Sequence, residues 1–177
     1  MGYLRKLLIG KRKSTDISIY FTLLVVVITT AIFNHTVVAQ TDTDQKLTTE
    51  LSGVNEVPPT NSSSTGLAEF DIMGTDSIRY HVNASNIQGV TAGHLHGGLE
   101  GENGPILVQL FSYDTPMNQV SESGIITAGN SSFQGSTTTS QQQLKDFMSA
   151  MRTGQVYVNI HTQQNPDGEI RGQVTTN

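Results

Sequence analysis

An all-β fold is what this sequence predicts: an antiparallel Greek-key β-sandwich carrying one short α-helix near 140–153. Three observations lead there. Short runs alternate apolar and polar residues with a period of two, and Gly, Pro, Asn and Ser clusters separate them. A single stretch has a helical apolar stripe. The 177-residue length leaves room for one domain of roughly six to nine short strands.

The elements follow in chain order. "LRKLLIGKRKSTDISIYFTLLVVVITTAIFNHTVVAQ" holds five of the ten basic residues, ahead of an apolar run from Ile17 to Phe33. A positive region before an apolar run marks 1–39 as a signal peptide, with Val37-Val38-Ala39 before the cut. The competing reading is an uncleaved N-terminal membrane anchor, since the run is near the roughly 17-residue lower limit for a spanning helix and Lys11-Arg12-Lys13 would hold its start in the cytoplasm. Either way the remainder is exported. Residues 40–46 are a polar tether, and a folded domain is expected over 47–175.

Within that domain, "KLTTELSG" puts Leu47, Thr49 and Leu51 on one face. "GLAEFDI" sets Ala68, Phe70 and Ile72 against Leu67, Glu69 and Asp71. "SIRYHV" turns Ile78, Tyr80 and Val82 inward, and Arg79 and His81 outward. "PILVQLF" reads as a more fully buried strand, and "VNIHTQQNPDGEIRGQV" as a hairpin turning at Asn165–Gly168. Pro58-Pro59 and the stretches 60–65 and 130–140 are loops. The helix has Ser140 as its cap, Gln143 as the box partner, a stripe of Leu144, Phe147, Met148 and Met151, and Gly154 as its stop.

Charge and cysteine content narrow the chemistry. From Gln40 onward five basic residues face fourteen acidic ones. Such a surface repels phosphate backbones, so nucleic acid is not an expected partner, and membrane contact is expected only through an uncleaved N-terminal segment. Cysteine is absent, which excludes disulfides, thiolate metal sites and cysteine nucleophiles. No serine lies in a G-x-S-x-G setting and no carboxylate pair stands out, so no catalytic residue is assigned. Asn61, Asn83 and Asn130 open glycosylation sequons, which short Ser/Thr/Asn-rich runs also produce by chance.

The histidines are the remaining candidates. His35 lies at the edge of the leader and His81 on a solvated strand face. His94 and His96, in "GHLHGG", share one face of an extended strand with Cα atoms about 6.5 Å apart, close enough to converge on one ion. His161 ends "QVYVNIH", on the face of Tyr157 and Asn159. If the two strands are neighbours, three imidazoles meet, a donor set suited to copper or zinc. Otherwise the same rings hydrogen-bond to loop carbonyls, or to carboxylates such as Glu100 or Glu102. Metal affinity is expected to fall as pH drops through about 6.5, the ordinary imidazole value.

Three longer motifs, "LSGVNEVPPTNSSSTGLAEFDI", "GVTAGHLHGGLEGENGPILVQLF" and "GQVYVNIHTQQNPDGEIRGQV", stand in order over roughly 47–175 and together resemble a chordin-type (CHRD) domain. The resemblance implies an extracellular β-rich module, one that in animal chordin belongs to a protein binding secreted growth factors. It is also distantly similar to the immunoglobulin-like sandwich of copper/zinc superoxide dismutase, in which an H-x-H strand and a later histidine hold copper; the matching positions are His94, His96 and His161. The bridging histidine, the fuller zinc set and the disulfide of that enzyme have no counterparts here, which counts against an electron-cycling dismutase. The remaining motif residues, Glu56, Pro58, Pro59, Asn103, Gly104, Pro105, Glu169 and Arg171, read as structural, with Arg171 pairing Glu56 or Glu169.

The leading expectation is therefore an exported, non-enzymatic binding module, secreted or anchored on the outer face of the membrane. Its partner is an extracellular protein or surface ligand, with copper or zinc as the cofactor if the three histidines bind metal. A redox or hydrolytic metalloenzyme at the same site is the second expectation, and a metal-free structural envelope protein the third.

Overall fold

A computed structural model describes residues 45–129 and 141–176. The leader, His35, most of the tether, the 130–140 loop and the Ser140 cap lie outside the described residues. The strands are β1 (Gln45–Ser52), β2 (Thr65–Met73), β3 (Ser77–Ser85), β4 (Val90–Gly97), β5 (Ile106–Met117), β6 (Val120–Thr127), β7 (Val156–Thr162), β8 (Ile170–Gln173) and β9 (Thr175–Thr176). The helix α1 spans Gln141–Arg152. Among the described residues no helix is long and apolar enough to cross a membrane.

All pairings are antiparallel, and one continuous sheet runs β5-β4-β7-β8-β1-β2-β3-β6, with β9 beside β1. The sheet curls into a nearly closed barrel or sandwich. Its two end strands are consecutive in the chain, and Tyr113 Oη on β5 donates to Glu122 Oε1 on β6 at 2.7 Å. Tyr80 Oη on β3 reaches Leu110 O on β5 at 2.6 Å, tying the two flanks together. The expected face assignments of β1, β2 and β3 hold: Leu47, Leu51, Ala68, Phe70, Ile72, Ile78 and Val82 are buried. β5 differs from its expected full burial, because Gln109 is exposed and Leu107 half-buried. Its register against β4 shifts three times, which changes the alternation of its side chains.

The helix closes the end of the core where β1 begins. Leu144, Phe147, Met148 and Met151 join the core, Arg152 Nε donates to Gln45 Oε1 at 2.8 Å, and Gln141 Nε2 donates to Thr75 O at 2.6 Å. It stops at Gly154, whose φ of +67° is the left-handed value expected of the residue after a helix. Gln155 N donates to Ala150 O and Gly154 N to Met151 O, satisfying two final carbonyls.

Candidate metal centre

The site grows out of the period-two geometry of β4 and β7. Leu95, Val158 and Ile160 point into the core. Their alternates His94, His96, Tyr157, Asn159 and His161 occupy the opposite, outer face. Register places them side by side: His96 opposite Tyr157, His94 opposite Asn159, and Ala92 opposite His161. A bulge at Thr91 lets Val90 pair with Thr162 while Ala92 already pairs with His161. Three loops, 53–64, 98–105 and 163–169, then cover an outer face that would otherwise meet water.

The three predicted histidines come together. Ring centroids are 4.8 Å apart for His94 and His161, and 5.7 Å for His96 with either partner. One nitrogen from each lies within 4.8 Å of the others. His96 Nδ1 lies 3.0 Å from Gly104 O, and His161 Nδ1 lies 2.9 Å from Pro166 O. A carbonyl only accepts, so both Nδ1 atoms carry hydrogen and both Nε2 atoms are bare lone pairs in the neutral rings. Those Nε2 atoms, together with His94 Nδ1, are buried with no hydrogen-bond partner. Three buried ring nitrogens without partners, two of them fixed as lone-pair acceptors, are a costly arrangement unless something electrophilic lies among them.

Burial is the leading cause of the electrostatics. It lowers the pKa of His94 to about 4, with the neighbouring His161 and His96 adding to the shift. It lowers His96 as well, opposed by the bond to Gly104 and reinforced by the Arg171 charge. His161 is lowered by burial against the bond to Pro166. All three shifts favour the neutral ring, the ligating form, to a pH below the 6.5 expected from sequence. Donor type, orphaned nitrogens and carbonyl-fixed tautomers all fit a copper- or zinc-class ion; a ligating histidine ordinarily donates its other N–H to such a carbonyl. Three protein nitrogens also leave a coordination position for water or a ligand.

The motif residues surround this centre. Pro58 and Pro59 are exposed in the 53–64 loop, and Pro105 O accepts Gly97 N at 3.0 Å. Asn103 Nδ2 donates to Val57 O at 2.7 Å, joining two covering loops. The expected pairing of Arg171 with Glu56 or Glu169 is not what forms. Arg171 is 2% exposed and donates to Leu99 O, Glu102 O and Asn103 Oδ1 at 3.0, 2.8 and 3.2 Å. Its guanidinium lies 3.5 Å from the centroid of Tyr157. Among the described residues the ion pairs are Lys46–Glu69 and Arg79–Asp71, on the solvated flank.

Each carboxylate has other partners. Glu169 accepts from Ser62, Ser64, Thr162 and Asn165; burial pushes its pKa up, but these bonds outweigh it and the net shift is downward. Glu56 Oε2 accepts from Asn159 Nδ2 at 3.2 Å, while Glu56 Oε1 and Asn159 Oδ1 are buried without partners. Burial raises Glu56 to about 7, against the Asn159 bond and the Arg171 charge. A groove of about 800 Å³ opens beside Glu56 and Glu169, between the 56–64 and 164–169 segments, and no basic side chain lines it.

Sequence reasoning placed Tyr157 and Asn159 on the face of His161 without giving them a role, and it missed both Gln173, whose Nε2 donates to Gly98 O at 2.9 Å, and the hydroxyl cage around Glu169. The roles of the first two follow from that shared face, at spacings of four and two from His161. The cage was not detectable, because Ser62 and Ser64 belong to a stretch that reads only as loop. His81 is where expected, half-exposed on β3 and bonded to Ser123 and Asn83.

The family model described as CHRD domain matches residues 47–174. No curated protein and no solved structure matches the chain.

Proposed function

The chain belongs to the CHRD-domain family, and we propose that it is an exported, non-enzymatic binding module holding one copper- or zinc-class ion through His94 Nδ1, His96 Nε2 and His161 Nε2. The observation that carries this reading is the trio of buried ring nitrogens without partners. When bound, the ion supplies Lewis acidity at a fixed point on the outer face of the sheet. The protein's own residues keep the rings neutral by burial, fix two tautomers through Gly104 O and Pro166 O, and cover the site with loops. The partner is an extracellular protein or surface ligand, and the polar groove beside Pro166 is the concave surface next to the centre.

Elemental analysis of protein purified without a histidine tag, then zinc and copper titration of wild type, His94→Ala and His161→Ala, tests the reading. One equivalent in wild type and at least about a 100-fold weaker affinity in each variant is the expected result, since losing even an outer partner of a metal ligand costs roughly 10–100-fold. No binding at any pH leaves a structural envelope protein. The coordination position left by three nitrogens favours a second reading, a metalloenzyme. Superoxide or ester turnover above that of free metal would establish it, and turnover equal to free metal would retire it.

A further inference from the structure

The guanidinium of Arg171 and the ring of Tyr157 form two layers of a three-layer stack whose third layer is His96. Tyr157 lies 5.0 Å from His96, centroid to centroid, with the rings 14° from parallel. Arg171 covers its other face at 3.5 Å. The same two residues hold the segment that carries the acceptor for His96. Arg171 bonds Leu99 O, Glu102 O and Asn103 Oδ1, while Tyr157 Oη accepts Gly104 N at 3.1 Å. Gly104 O is the atom that receives the His96 Nδ1 hydrogen.

We propose that Arg171 is a positioning residue for His96. By pinning residues 99–104 and clamping Tyr157 against the imidazole, it fixes both the plane of that ring and the tautomer that leaves Nε2 bare toward His94 and His161. A buried cation ordinarily needs a carboxylate; this one is met by neutral acceptors and a π-face, all belonging to residues that touch or support His96. A planar fork serving three acceptors and a ring at once is a task for arginine, and lysine's point-like ammonium cannot repeat it. His161 is held separately, by Pro166 in the 163–169 loop, and so serves as an internal reference.

This inference rests on the metal reading for its consequence but not for its test. In metal-free protein with ¹⁵N-labelled histidine, wild type should show His96 and His161 each as a single Nδ1–H tautomer. Arg171→Lys should give a mixed tautomer at His96 with His161 unchanged, and zinc affinity lower by about 10–100-fold. A pure His96 tautomer with zinc affinity within twofold of wild type would overturn the proposal. Should Arg171→Lys fail to fold, Arg171→Gln, which keeps a planar amide but loses the charge and the fork, takes its place, and the same two outcomes decide. Wild type that binds no metal removes the metal reading alone, because the tautomer measurement still decides the role of Arg171.

Discussion

β3 and β7 are strands of similar kind with opposite surroundings. Along β3 the side chains alternate, with Ile78, Val82 and Ala84 buried and Arg79 and Ser85 exposed. Along β7 every residue from Val156 to Thr162 is buried, although Tyr157, Asn159, His161 and Thr162 are polar. The local period is the same in both. What differs is that loops 53–64, 98–105 and 163–169 lie over the outer face of β4, β7 and β8. A polar residue on β3 has water to satisfy it, whereas one on β7 must find a partner within the protein. The cage around Glu169, the acceptors around Arg171 and the carbonyls behind His96 and His161 are such partners. The exceptions among the described residues are Glu56 Oε1, Asn159 Oδ1, Gln173 Oε1 and the three histidine nitrogens, and only the histidines are gathered as a group able to hold a metal ion, which is why they read as a site.

The sharpest break of this contrast is Gly104→Ala. A Cβ there would collide with the Gly97 carbonyl, so the backbone holding the His96 acceptor must move. The expected cost is about 3 kcal/mol in urea unfolding, together with lost metal affinity. An unchanged midpoint would mean that the covering loop yields freely.

Next in size is the pH dependence of the metal-free domain. Glu56, raised to about 7 from an ordinary 4.5, holds its proton better when folded. Its contribution is complete below pH 4.5 and is lost as pH climbs through about 7. His94, lowered to about 4 from 6.5, works the other way: the unfolded chain takes up the proton first, so stability present above 6.5 drains away as pH falls toward 4. Urea midpoints from pH 4 to 8 should therefore show a flatter alkaline arm in Glu56→Gln and a flatter acid arm in His94→Gln. Curves parallel to wild type would contradict the burial of both groups.

Smaller effects are expected away from the covered face. Tyr80→Phe loses the bond to Leu110 O between the flanks and should cost about 1 kcal/mol by the same unfolding measurement, with zinc affinity unchanged. His81→Ala, on the open face of β3, should stay within about 0.5 kcal/mol of wild type and keep full metal binding. A metal defect in His81→Ala would draw that strand into the site and blur the distinction between the two faces.

Much of this was readable beforehand from residue order. Alternation assigned the inner faces of β1, β2 and β3, the stripe from Leu144 to Met151 and the stop at Gly154 located the helix, and one-residue spacing put His94 and His96 on a common side. The pairing of Arg171 was misread because charge alone suggested a carboxylate. The stack on Tyr157 and the carbonyls of Leu99 and Glu102 come from segments some seventy residues away, and no local pattern encodes them. The burial of β5 was overestimated because its three register shifts depend on how β4 is paired.

By itself, then, the order of residues determined which faces of β1, β2 and β3 are apolar, where the helical stripe lies and stops, and that any metal must be held without thiolate, because these follow from side-chain type and from backbone periods of two and 3.6. Only the tertiary structure decided that β4 and β7 are neighbours in a register that brings His161 to the pair on β4, and that loops seal the face they share. Pairing and sealing are long-range events: they set which polar atoms lose water, and so which ring nitrogens are left neutral, buried and facing one another.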